Sequence, residues 1–194
     1  MPQPEYSAIT YLLHVLLDAY LYVIILRLVM QYVGVSYYNP AVNVCLILTN
    51  WAVKPLRKIA PGFKGVDFAI VLFWIVVAAV KVILLTWLDL DAGFPNVVGM
   101  IIWLLGDFLD KFLDIYLGCF IVRAVMSWVP ALANNALGEL VFLITEPVQG
   151  RVRRIVPPVG AIDFSPLLLL IGIYLMQSLL VSRLLLLGMH RAIT

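Results

Sequence analysis

The residues of this sequence that could take part in chemistry are charged side chains inside long apolar segments. Asp107, Asp110 and Asp114 lie at spacings i, i+3 and i+7, so on a helix they share one face with Lys111 beside them. One interpretation is an ion or proton path lined by acidic side chains. The other is a structural network of salt bridges between helices. Both require that these side chains face protein or water, because a charge facing lipid is costly.

Asp18 and Lys81 are predicted to form a pair between two helices. At 1.5 Å per residue, both lie roughly 20 Å from the same ends of their apolar segments. A lone charge at that depth costs about 2.5–3.5 kcal/mol, so each needs a partner. Later in the chain Gln177 takes the place of Lys81 and leaves Asp114 with a neutral neighbour. Arg183 is expected at the same depth as this group.

Two further arginines precede the ends of long apolar segments, and two aspartates precede the segments that follow. Asp67 and Asp163 suit the N-caps of helices, where a carboxylate also faces the positive helix end. A guanidinium binds a carboxylate with two parallel hydrogen bonds. The sequence therefore predicts bridges from Arg27 to Asp67 and from Arg123 to Asp163. We interpret them as structural locks in preference to substrate-binding groups.

Each half of the chain has one short basic segment, interpreted as a loop, between its apolar segments. Cations near the ends of membrane spans mark the cytoplasmic side, whereas the middle of the chain carries Asp89 and Asp91. One interpretation is that the basic segments only set the orientation of the chain in the membrane. The other is that they form a docking site for an anionic lipid headgroup or a protein partner. The cations concerned are Lys54, Arg57, Lys58, Arg151, Arg153 and Arg154.

The composition places these residues in a membrane protein. The 194 residues are 64% hydrophobic and only 12% charged, far from the roughly 45–50% apolar and 25% charged content of soluble domains. Four segments of about 20 residues or more are long enough to span a bilayer. They are about Ser7 to Val33, Phe68 to Leu88, about Val98 to Val129 and Phe164 to Leu187. Shorter helices are expected at about 40–53 and about 136–145, too short to span and therefore interfacial or re-entrant.

An internal repeat relates the two halves. Aligning Arg27 with Arg123 gives an ungapped offset of 96 residues that also aligns Asp18 with Asp114 and Thr49 with Thr145. We predict two units, residues 1–95 and 96–194. Because each contains an even number of spans, the units run parallel to each other. The expected fold is an all-α membrane protein with four transmembrane helices in two parallel tandem repeats, each with a short interfacial or re-entrant helix.

Several motifs resemble one known family. They are LRLVMQY, NP, KPLRKIAP and GVDF in the first half, and VRAVMSW, EPVQGRVRRIVP and AIDFSP in the second. Together they resemble the YggT family of bacterial membrane proteins, which is related to chloroplast YlmG-type proteins. The resemblance implies a multi-pass protein of the bacterial inner membrane, associated with osmotic stress and potassium homeostasis. Some relatives are linked to cell division or to the assembly of membrane complexes, and the resemblance supplies no catalytic residue.

The sequence contains no phosphate-binding loop, hydrolase motif or paired-cysteine motif, so we expect neither an enzyme nor a metal or other cofactor. A net charge of +2 gives no reason to expect nucleic acid. Two functions remain: support of osmotic or ion homeostasis as a small conduit or transporter modulator, and a scaffold or assembly factor with basic cytoplasmic loops. The expected partners are the bilayer, anionic phospholipid headgroups, and a protein partner or a second copy. Both termini are predicted to lie outside.

Overall fold

The regular secondary structure is helical in the part of the chain that the structure describes. The computed structural model describes residues 8–63, 65–89, 95–128, 133–156 and 164–193. The helices are α1 (Ala8–Tyr32), α2 (Pro40–Leu56), α3 (Phe68–Asp89), α4 (Val97–Trp128), α5 (Ala136–Ile155), α6 (Ser165–Met176) and α7 (Ser182–Ile193). A π-helical segment, Gln177–Val181, joins α6 to α7. Within the described residues there is no strand, and the only extended pairing is an isolated bridge between Phe63 and Val66.

Polar side chains cap the N-termini of α2, α5 and α3 and set where these helices begin. Asn39 accepts a hydrogen bond from the backbone N–H of Ala41, and Asn135 accepts one from Gly138, so each caps the helix that follows it. Asp67 caps α3 in the same way, because its Oδ1 accepts a hydrogen bond of 3.1 Å from the N–H of Ala69. The predicted cap at Asp67 is confirmed, whereas Asp163 lies outside the described residues.

Two of the described helical stretches are long and apolar enough to cross a membrane. They are Thr10–Tyr32, of 23 residues, and Ser165–Ala192, of 28 residues. The apolar part of α3, Phe68–Leu84, is shorter, and α4 carries several charged side chains near its middle. The described part of the chain thus belongs to the all-α class and has at least two helices suited to a bilayer.

Helix α1 lies beside α4 and runs in the same direction. Asp18 of α1 contacts Lys111 of α4, and further along α1 the hydroxyl of Tyr22 contacts Asp114. Beyond the ends of both helices, the side chain of Asn39 donates a hydrogen bond of 2.8 Å to the carbonyl of Ala136. Because these contacts occur in the same order along both parts of the chain, α1 and α4 are parallel.

Glycines allow α4 and α7 to approach with their backbones in contact. A Cβ added to Gly99 would lie 2.2 Å from the backbone nitrogen of Ala192, and one added to Gly188 would lie 2.4 Å from the nitrogen of Trp103. Close packing through small residues is the usual way in which helices associate in lipid, where no hydrophobic force drives them together.

The short helices are longer than predicted, and this corrects the description of the basic segments as loops. Helix α2 continues past Val53 to Leu56 despite Pro55, and α5 continues past Thr145 to Ile155 despite Pro147. Lysine and arginine are good helix formers, and cations are favourable in the last turn of a helix. Most of the basic residues therefore lie on helices, and Arg57 is the C-cap of α2.

Candidate functional site

Four charged side chains form a network that joins the two halves, which we call the lysine–carboxylate cluster. The Nζ of Lys81 lies 2.6 Å from the Oδ1 of Asp18, as the depth argument predicts. The Nζ of Lys111 lies 2.8 Å from that same oxygen and 2.5 Å from the Oδ1 of Asp107. Lys81 also lies 3.5 Å from Asp107. Two lysines and two aspartates balance, so this part of the network carries no net charge.

Neutral donors hold the acidic residues next to this cluster. The Nε2 of Gln177 donates hydrogen bonds of 2.7 Å to Asp114 and 3.4 Å to Asp110, and the hydroxyl of Tyr22 donates to the other oxygen of Asp114. The sequence correctly places Gln177 beside Asp114. Arg183 does not join: it is exposed and forms no salt bridge with a described residue.

The predicted bridge from Arg27 to Asp67 is wrong. Arg27 donates from Nη1 to the hydroxyl oxygen of Thr49 and from Nη2 to the Oδ1 of Asn50, at 2.9 Å. Asp67 is instead bound by Arg57, whose Nη2 lies 2.6 Å from its Oδ2. The reason is that α2 packs against α1 and supplies acceptors closer to Arg27 than the start of α3 does.

The second half repeats this arrangement with one chemical change. Arg123 donates from Nη1 to the hydroxyl oxygen of Thr145 and from Nη2 to the Oε2 of Glu146, both at 2.6 Å. The Nη1 of Arg153 lies 3.7 Å from the same carboxyl group, and the guanidinium of Arg123 lies 4.8 Å from the centre of the Phe142 ring. The other end of the predicted Arg123–Asp163 bridge lies outside the described residues.

We call these two groups the arginine–threonine sites: Arg27 with Thr49 and Asn50, and Arg123 with Thr145 and Glu146. In each, the threonine hydroxyl donates to the carbonyl four residues earlier, so its oxygen is free to accept from the arginine. Sequence reasoning assigned no role to Thr49 or Thr145, although the offset of 96 residues aligns them. That alignment is the signal by which they could have been found.

The basic residues divide into paired and exposed ones. Arg57 and Arg153 form the salt bridges described above, with Asp67 and Glu146. Four others are exposed and occur in none of the salt bridges of the described residues: Lys54, Lys58, Arg151 and Arg154. Each half therefore offers two available cations at the end of its short helix.

An apolar layer separates the lysine–carboxylate cluster from the arginine–threonine sites. On α1, Arg27 follows Asp18 by nine positions, a rise of about 13 Å. Leu21, Ile24 and Ile25 fill this interval with no exposed surface, and Phe73 of α3, which is 6% exposed, packs in the same core. No group of described His, Cys, Asp or Glu side chains is arranged to hold a metal ion.

Comparisons with known proteins agree with the repeat. The family model described as CCB3/YggT matches twice, at residues 6–88 and 102–184, so the two matches begin 96 residues apart. That spacing equals the offset between Arg27 and Arg123, while the division at residues 95 and 96 stays a prediction.

The chain is similar to an uncharacterized protein of Pseudomonas aeruginosa, 29% identical over 92% of this chain and 90% of the relative. It is also 29% identical to the protein YggT of Escherichia coli (strain K12), over 88% of each chain. A shorter similarity, 34% over 79 residues, covers 40% of this chain and 41% of CCB3, a chloroplastic protein of Arabidopsis thaliana whose name refers to cofactor assembly of complex C. No solved structure matches the chain.

Proposed function

Because this chain belongs to the CCB3/YggT family, we propose that it is a membrane scaffold or assembly factor that recruits protein partners through its basic cytoplasmic segments. The Arabidopsis relative is named for cofactor assembly of complex C. The four exposed cations of the two short helices supply the recruiting surface. They lie at corresponding ends of the short helices in the two repeats.

The observation that carries this proposal is the apolar layer between the two polar levels. A conduit needs a polar lining through both leaflets, whereas Leu21, Ile24 and Ile25 are completely buried between Asp18 and Arg27. A sealed interior with basic groups at one surface suits a protein that holds other proteins in place. The polar clusters then serve to fix the helices to each other.

The membrane arrangement that we propose has four spans in two parallel units. Helices α1, α3, α4 and the continuous stretch from α6 to α7 cross the inner membrane, while α2 and α5 lie at or re-enter its cytoplasmic side. Both termini lie outside. The parallel course of α1 and α4 supports this arrangement, as does the position of the exposed cations at one end of the bundle.

Cysteine labelling tests this orientation. Lys58→Cys should react with a membrane-impermeant maleimide only after the cells are opened, whereas Val97→Cys, at the other end of the bundle, should react in intact cells. Native Cys45 is a weak competitor, because it is buried and burial raises the pKa of its thiol. Cys119 is replaced by Ala in both variants. Reaction of Lys58→Cys in intact cells would reject the orientation.

Photo-crosslinking in cells tests the scaffold proposal. Ile59 and Ile155 occupy equivalent positions beside the exposed cations and are 77% and 80% exposed. A photoreactive amino acid at either position should give covalent adducts with one or a few specific proteins. The control is Leu186 on α7, which is 69% exposed but lies far from the cations. Charge reversal at Arg151 and Arg154 should abolish the adducts from Ile155.

Two results would reject the scaffold proposal. One is that the adducts from Ile155 and Leu186 contain the same proteins, which indicates random collision in the membrane. The other is that the adducts survive the reversal of Arg151 and Arg154, which indicates that the cations do not recruit a partner.

Ion or osmotic homeostasis is the second candidate, and the lysine–carboxylate cluster favours it. Charged groups inside a membrane mark ion paths in many transporters. Purified protein in liposomes should then carry potassium at a rate above that of empty vesicles, and Asp18→Asn or Asp114→Asn should reduce the rate. The scaffold proposal expects no such flux.

A further inference from the structure

The first repeat has a cavity beside Arg27 to which the roles above assign no ligand. It has a volume of about 540 Å³ and lies between α1, the turn after it and α2. Arg27, Asn50, Lys54 and Arg57 line it on the helices, and Ser36 and Tyr37 line it in the turn. No Asp or Glu occurs among the described residues around it. The cavity is therefore a basic one.

Arg27 brings a buried positive charge to this cavity without a carboxylate in contact. The residue is 3% exposed, and both of its observed acceptors, Thr49 and Asn50, are neutral. Its Nε is buried and makes no hydrogen bond with the described residues. An arginine carries five N–H donors, so most of its capacity is unused. Asp67 is the nearest candidate counter-ion, but Arg57 holds it.

The corresponding cavity of the second repeat has both signs of charge in its lining. It has a volume of about 370 Å³ and is lined by Arg123, Glu139 and Phe142 among others. Glu146 neutralises Arg123 at 2.6 Å, and it stands where the first repeat has Asn50. Duplication has thus left Arg123 with an internal anion and Arg27 with neutral acceptors only.

We propose that the cavity of the first repeat binds a phosphate group, with Arg27 and Lys54 as its charged contacts. A phosphate supplies the missing negative charge, and its oxygens accept several hydrogen bonds at once. Tyr37 and Gln31 also line the cavity, and their side chains carry neutral donors. The phosphate belongs either to a phospholipid headgroup or to a free anion.

The position of the cavity places it within reach of headgroups. Tyr37 and Tyr38 are 69% and 98% exposed next to it, and exposed tyrosines are typical of the level at which headgroups lie. The site shares Lys54 with the proposed recruiting surface, but its test is separate from that of the scaffold role, because it needs only purified protein and an anion.

A charge swap taken from the chain itself tests the proposal. Asn50→Glu should give Arg27 the internal partner that Arg123 already has, so the variant should fold while losing the site. The matched control is Asn43→Glu, which adds the same charge to an exposed position of α2 that does not line the cavity. A second pair is Lys54→Ala, within the lining, and Lys58→Ala, outside it.

The measurement is the binding of dioleoyl-phosphatidylglycerol to purified protein in neutral detergent, followed by native mass spectrometry and by the shift in Tm. Dioleoyl-phosphatidylcholine is the lipid control, and inorganic phosphate is titrated separately. Asn50→Glu should weaken the binding of the anion at least tenfold and Lys54→Ala at least threefold, while both controls stay within twofold of the parent protein.

The two arms distinguish the source of the phosphate. Saturable binding of phosphatidylglycerol that excess inorganic phosphate does not displace identifies a lipid site, and binding of inorganic phosphate alone identifies a free-anion site. Equal weakening by Asn50→Glu and Asn43→Glu would overturn the proposal, because it would indicate attraction to surface charge only. Absence of binding in both arms would overturn it as well.

Discussion

The two repeats share their geometry but differ in their charges. Each has an arginine that donates to a threonine of its short helix, and each has an aspartate that contacts residue 81 or its equivalent 177. In the first repeat the aspartate meets a lysine and the arginine meets an amide. In the second, the aspartate meets an amide and the arginine meets a glutamate. The ionic partner has therefore moved from one polar level to the other.

The two repeats therefore have polar contacts at equivalent positions, but equivalent contacts differ in strength. Opposite charges buried together attract strongly but lose their hydration, whereas a neutral donor gives a weaker contact at a smaller desolvation cost. Of these two equivalent contacts, each repeat thus has one that is ionic and one that is neutral, and the ionic one lies at a different level in each repeat. Exchanging residues between equivalent positions is therefore the most direct way to test the comparison.

The largest expected effect is at Lys81, where the first repeat has its strong contact. Lys81→Met should lower the free energy of unfolding in detergent by about 3 kcal/mol, because it removes one partner of a buried ionic network. Gln177→Met, the equivalent change, should cost about 1.5 kcal/mol, since it removes a neutral donor to a carboxylate. Thermal or denaturant unfolding of the purified variants measures both.

A double-mutant cycle sharpens this prediction. Asp18→Asn combined with Lys81→Met should be less damaging than the two separate effects added together, with a coupling of at least about 1 kcal/mol. Additive effects would contradict the pairing of Asp18 with Lys81. Equal costs for Lys81→Met and Gln177→Met would contradict the difference between the repeats.

A smaller effect is expected where α4 packs on α7. Gly188→Ala should cost about 2 kcal/mol, because its Cβ would lie 2.4 Å from the backbone of Trp103 and the helices must separate. Gly172→Ala is the matched control, since a Cβ there meets nothing within 4 Å. Its unfolding free energy should not fall, because alanine also has the higher helix propensity. Similar losses for both variants would show that close backbone contact is not what holds α7.

Much of this architecture follows from the sequence alone. The offset of 96 residues, the cap at Asp67, and the pairing of Asp18 with Lys81 all rest on simple spacing. Spacing works here because a helix has a fixed rise, and because a buried charge in lipid must find a partner. A charged residue can then pair only with residues of neighbouring helices that lie at the same depth.

The choice among partners at the same depth could not be predicted from the sequence. Asp67 and Thr49 both lie near the level of Arg27, and the prediction favours the stronger acceptor; the packing of α2 against α1 decides for Thr49 and Asn50. The length of α5 is also underestimated from sequence, because Pro147 suggests an end although the helix passes through it. The partner of Arg27 and the length of α5 both depend on tertiary contacts, which the local sequence pattern does not encode.

The smallest expected difference separates the two threonines. Thr49→Val keeps the shape of the side chain but removes an acceptor from Arg27, which then has only the amide of Asn50, so the loss of unfolding free energy should be about 1.5 kcal/mol. Thr145→Val should cost less than about 1 kcal/mol, because Glu146 still binds Arg123 at 2.6 Å. Adding Asn50→Glu to Thr49→Val should bring its cost down to that of Thr145→Val, since Arg27 would gain the same carboxylate. If the two single variants lose equal stability, or if the added glutamate restores nothing, then the partner at position 50 or 146 does not determine how strongly each arginine is held.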